Sequence, residues 1–94
     1  MYFDFVFWHL GFRKGWRIYI ININDADYGI RDTSGHATHR NHLSGDTYKS
    51  ICWSRKIPTL KDAKNIARIW ADTTSIYIQY GGNFDTIAQD LLRK

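Results

Sequence analysis

A single cysteine, Cys52, in a chain of 94 residues leaves no partner for an internal disulfide, which excludes the stapled secreted scaffolds and fits a reducing, cytoplasmic setting. No stretch approaches the roughly 20 consecutive apolar residues that a membrane-spanning helix needs, so no membrane partner is expected. The aromatic-rich segment from Met1 to Leu10 superficially resembles a targeting signal. It lacks a basic leading region, carries Asp4 inside the apolar run and is followed by no small-residue cleavage site, so it reads as part of the fold. Internal repeats, low-complexity tracts and linker-like stretches are absent too, and 94 residues sustain one modest core. The whole chain, 1–94, is therefore read as a single domain with no room for a separate catalytic module.

What is present suffices for a globule. Hydrophobic residues make up 44% and aromatics 16%, including 4 Trp, 6 Tyr and 5 Phe, which argues against disorder. Lysine and arginine number 13 against 9 acids, giving a net charge of +4 and a pI near 9.4. That balance favours anionic partners.

The only proline, Pro58, introduces the strongest pattern in the sequence. It disfavours helical geometry at Ile57 and so separates the C-terminal third of the chain from the segments upstream. Thr59 and, three positions on, Asp62 form a capping-box pattern, in which hydroxyl and carboxylate each accept a bond from a first-turn amide. Ala63, Ile66, Ala67, Trp70, Thr74, Tyr77 and Ile78 then recur at helical spacing, and Gly81 and Gly82 can adopt the left-handed geometry that ends a helix. The pattern predicts one long amphipathic helix between Pro58 and Gly82, with Trp70 near the centre of its contact. After it, Asn83 can cap a shorter helix whose Phe84, Ile87, Ala88, Leu91 and Leu92 share one side.

Upstream, Tyr2–Trp8 and Trp16–Ile23 read as strands joined by a basic turn with two glycines. Trp16, Ile18 and Ile20 alternate with Tyr19, Ile21 and Ile23, so both faces are apolar over part of its length, as in a central strand or a sheet covered on both sides. The polar run Asn24–Gly35 reads as the longest irregular loop, with Tyr28 exposed on it. His36–Leu43 and Thr47–Ser54 form a second hairpin around Ser44, Gly45 and Asp46. There Ile51 and Trp53 fall on one face and Tyr48 and Cys52 on the other. The expected fold is α+β: about four antiparallel strands in two hairpins, packed on the long helix, plus a short C-terminal helix.

For chemistry, His36, His39 and His42 lie within seven positions and near Cys52, the residue types of a zinc site. On a strand, however, His36 and His42 stand about 20 Å apart and His39 points to the opposite face, so no metal and no cofactor is expected. A thiol nucleophile at Cys52 lacks a helix start or elbow to stabilise its thiolate, and no phosphate-cradling loop or hydrolase triad is present. The chain reads as non-enzymatic.

Basic groups interleaved with aromatics are the better lead. Arg13, Lys14 and Arg17 cluster at the first hairpin, Arg40 and Lys49 lie in the second, and Arg55 with Lys56 closes the fourth strand. Phe12, Trp16, Tyr28, Tyr48 and Trp53 fall between them. Cations that hold phosphates beside aromatic platforms that stack bases make a surface for nucleic acid or a nucleoprotein, with Arg13, Lys14, Arg17, Arg40, Lys49 and Arg55 as its contacts. The rival expectation is a small inhibitor or adaptor, of the kind mobile elements direct against host defences, docking one protein partner through the Asn24–Gly35 loop with Tyr28 and Arg31 as anchors. A homodimer through the Phe84–Leu92 stripe is a further option.

From Trp16 to Trp70, about half the chain, the order of a strand, a hairpin and a helix opening on Thr59, Leu60 and Ala63 resembles the small three-stranded DNA-binding domains of some phage-type integrases. The resemblance implies a sheet laid into the major groove. The extra N-terminal strand and the C-terminal helix depart from it.

Overall fold

In the computed structural model, which describes residues 2–93, four antiparallel strands pack on one long helix and a short helix follows. The strands are β1 (Phe5–His9), β2 (Trp16–Ile20), β3 (Arg40–Asn41) and β4 (Lys49–Ile51). The helices are a single turn, α1 (Gly35–Thr38), then α2 (Leu60–Tyr80) and α3 (Phe84–Leu92). The sheet order is β1-β2-β4-β3, so the doubly apolar β2 is central, as its pattern predicts.

Register assigns the two faces. Ile18, Ile20 and Ile51 turn towards α2 and are buried with Ile57, Ala63, Ile66, Ala67 and Trp70. Val6 and Trp8, Arg17 and Tyr19, and Ser50 and Asn41 pair across the other face, which no helix covers. Trp70 sits where the layers meet: it is 3% exposed, its ring meets Phe3 and Phe5 edge-on at 5.5 and 6.0 Å, and its Nε1 donates to the Thr38 carbonyl at 3.1 Å. An indole satisfies both its apolar body and its one donor in this way.

The start of α2 forms as its signals predict, with one difference. Thr59 Oγ1 accepts from the Asp62 amide at 3.0 Å, but the Asp62 carboxylate takes a 2.8 Å bond from the Thr59 hydroxyl rather than from its amide. The Asn83 side chain caps α3 by accepting from Thr86 N. Phe84 anchors α3 back onto the same domain.

The second hairpin is shorter than its sequence suggests. His36–His39 leave the strand for α1, which Ser34 caps by accepting from Ala37 N, and His39 reverses the chain at a positive φ of 53°. Ile23, placed by alternation on the open face, packs against the core instead, because β2 ends at Ile20 and the chain turns. Gly15 marks a close approach: its φ is +76°, and a Cβ there would lie 2.4 Å from the Ile57 carbonyl oxygen, which accepts from Trp16 N. No side chain larger than hydrogen fits that crossing.

Candidate nucleic-acid interface

β2 and β4 pair only at Tyr19–Ser50 and Ile20–Lys49, and the next bond between these segments is Trp16 N to Ile57 O. Between those points Cys52–Lys56 loops away from β2. A groove of about 250 Å³ opens there, with Lys14, Arg17, Arg55 and Lys56 on its walls beside Trp16 and Trp53. No carboxylate is among its lining residues, and among the described residues none of the four cations has an acid within 4 Å. Arg17 donates to the Tyr19 hydroxyl at 3.2 Å, and that hydroxyl donates to Asp46 Oδ2 at 3.1 Å, which fixes Arg17 along the open face without neutralising it directly.

The open face is aromatic as well as basic. Trp8 is 58% exposed and Trp53 49%, and Phe12 stands at the hairpin tip with the Arg13 guanidinium 5.0 Å over its ring. Trp53 does not follow Ile51 into the core as strand alternation predicts: Ile51 is buried and Trp53 half exposed. The strand stops at Ile51, and the loop carries Trp53 to the groove instead.

Arg40 and Lys49 lie elsewhere. Arg40 is 3% exposed and donates to Thr38 Oγ1 at 2.9 Å, Asp25 Oδ1 at 2.7 Å and the Thr33 carbonyl at 3.0 Å, with its guanidinium 4.5 Å over the Tyr28 ring. Lys49 reaches the same Asp25 oxygen at 3.0 Å. Bonds from Arg40 first, and Lys49 next, hold the Asp25 carboxyl below its ordinary range. These two cations tie the 24–35 loop to the second hairpin. They line, with Asp25 and His42, a separate cavity of about 550 Å³ whose charges are already paired.

The loop residues expected to meet a protein partner also turn inward. Tyr28 is buried at 1% exposure, because Asn24 and Asp27 form a reciprocal capping box that winds Asp25–Tyr28 into a 3₁₀ turn and aims the ring at Tyr77. Burial pushes its phenol up to about 12. Arg31 closes the end of α2, donating to the Ile78 and Gln79 carbonyls at 3.1 Å each. The three histidines are held apart. His36 is exposed on α1, His39 stacks on Phe84 and meets Asp85 at 3.0 Å, and His42 bonds the Asp46 carbonyl at 2.9 Å.

No protein-family model, curated protein or solved structure matches this chain. Its fold therefore stands on its own geometry, and the likeness to integrase DNA-binding domains carries no residue role. A helix long and apolar enough to cross a membrane does not occur among the described residues.

Of the cations named from sequence, the structure gathers Lys14, Arg17 and Arg55 at one groove, leaves Arg13 at its hairpin tip, and assigns Arg40 and Lys49 to internal pairing. Lys56 and Trp53 belong to the groove too. Their nearness to Arg55 was visible in sequence, but the end of pairing after Ile51 that brings them to the groove was not.

Proposed function

We propose that this protein is a non-enzymatic domain that binds single-stranded nucleic acid along its uncovered sheet face. The reading rests on one observation: four cations free of internal carboxylates converge on a groove walled by an exposed tryptophan. Phosphates would lie on Lys14, Arg17, Arg55 and Lys56, and an unstacked base on Trp53, since exposed indoles offer a stacking surface that every base can use. A duplex keeps its bases stacked internally and would leave Trp53 unused, which favours a single strand.

The test is fluorescence anisotropy of a labelled oligonucleotide of about a dozen nucleotides across a salt series. Three to four phosphate contacts predict a log–log salt slope of about −2 to −3. Lys14→Ala/Arg17→Ala/Arg55→Ala should flatten the slope to near −1, and Trp53→Ala should weaken binding by about 1–3 kcal/mol with the slope unchanged. Absence of binding at low salt, or an unaltered slope in the triple variant, refutes the reading. The apolar hollow between Val6, Tyr19, Ile21 and Tyr48 on the same face favours a protein-docking role as second reading. A salt-insensitive, equimolar complex with one protein is its signature.

A further inference from the structure

The sheet order leaves β1 at an edge, bonded to β2 alone. The bonds at the two ends of the ladder, Leu10 N to Gly15 O and Ile21 N to Asp4 O, fix its phase: Asp4, Val6, Trp8 and Leu10 bond inward, so Phe5, Phe7 and His9 turn their N–H and C=O groups outward. Among the described residues no backbone or side-chain group bonds them. Edge strands are ordinarily blunted by a lysine, a proline or a bulge, yet Phe5–His9 reads Phe-Val-Phe-Trp-His, without charge or proline. Val6 is 39% and Trp8 58% exposed beside that open edge.

We propose that two copies of this chain join by antiparallel pairing of β1 with β1, two-fold symmetric about Phe7, into one continuous sheet. In this register Phe5 lies opposite His9 of the second copy, Phe7 opposite Phe7, and Val6 opposite Trp8. All outward amides of the strand find partners. Charge selects the antiparallel sense. Each strand is preceded by an acid, Asp4, and followed by the turn that carries Arg13 at its tip, Lys14 being turned to the groove beyond β2, so antiparallel pairing sets acid towards base at both ends. Parallel pairing would set like against like. The two turns then lie at opposite ends of the joint, and both grooves open on the same face of the extended sheet. This dimer does not depend on the nucleic-acid reading.

Sedimentation equilibrium over about 1–500 μM tests it, since a joint of one five-residue strand from each copy is a small interface, for which a dissociation constant in the micromolar range is expected. Wild type should dimerise. V6K/W8K places lysine opposite lysine at both Val6–Trp8 contacts and should weaken the dimer at least about tenfold, whereas V6E/W8K places opposite charges there and should retain it. A monomeric wild type, a V6K/W8K protein that dimerises like wild type, or equal dissociation of both natively folded variants overturns the proposal. Hydrogen exchange on wild type reads the same edge without substitution. The amides of Phe5, Phe7 and His9 should gain protection as concentration rises, and their continued rapid exchange in a dimeric sample would also overturn it.

Discussion

Arg40→Ala should cost about 3 kcal/mol of folding stability and leave nucleic-acid binding by the folded protein intact. The magnitude comes from the groups that the guanidinium holds. Its bonds to Thr38 Oγ1, the Thr33 carbonyl and Asp25 join the capped turn at 33–38 to the 3₁₀ turn that begins at Asp25, and it lies over the Tyr28 ring. A hydrogen bond involving a charged group contributes about 1.5–3 kcal/mol when its partner is stranded out of water. Asp25 would not be stranded, because its side chain is 55% exposed and retains Lys49, so that bond counts for little. The Thr33 carbonyl and the lost cation–π contact account for most of the loss, together with the cavity left by a side chain that is 1% exposed. Urea titration followed by tryptophan fluorescence measures it, with Arg40→Lys expected to recover part of the loss because one ammonium cannot reproduce the planar fork. A loss below about 1 kcal/mol refutes the latch. A decrease of about one in the salt slope of oligonucleotide binding would instead return Arg40 to the phosphate contacts.

Trp70→Ala should cost about 3–5 kcal/mol by denaturant titration, since it removes a buried indole and frees the Thr38 carbonyl. Tyr28→Phe should change stability at neutral pH by less than about 1 kcal/mol, because the buried hydroxyl has no well-formed hydrogen bond. With the folded phenol at about 12 and the unfolded one at 10.0, wild type keeps this contribution below pH 10 and loses up to about 3 kcal/mol as pH rises through 12; the variant should lack that decline in alkaline melts. Gly15→Ala should destabilise by about 2–4 kcal/mol through its positive φ and its contact with the Ile57 carbonyl, whereas Gly45→Ala, at a φ of +84° with open space around it, should cost only about 1–2 kcal/mol. Equal losses at the two positions in thermal melts would show that the close approach at Gly15 is unimportant.

The elements legible in sequence are those set by local rules. Thr59, Asp62 and the 3.6-residue recurrence up to Tyr77 define α2, Asn83 defines the start of α3, and the two-sided apolar pattern of Trp16–Ile23 places β2 inside the sheet. Where local rules competed, the hairpin reading misled. His36–Leu43 reads as one arm of a hairpin from the turn around Gly45, but Ser34 offers a cap and turns its first half into α1. The Asn24–Asp27 capping pair was itself readable, and it is what buries Tyr28.

Charge, by contrast, was legible only as a total. The sequence by itself determined the α+β class, the long helix, the central strand and a surplus of cations. Tertiary structure alone decided which cations face a groove and which meet Asp25, because a charge is free or paired according to neighbours brought within 4 Å by chain reversals such as those at Gly15 and His39 rather than by spacing along the chain.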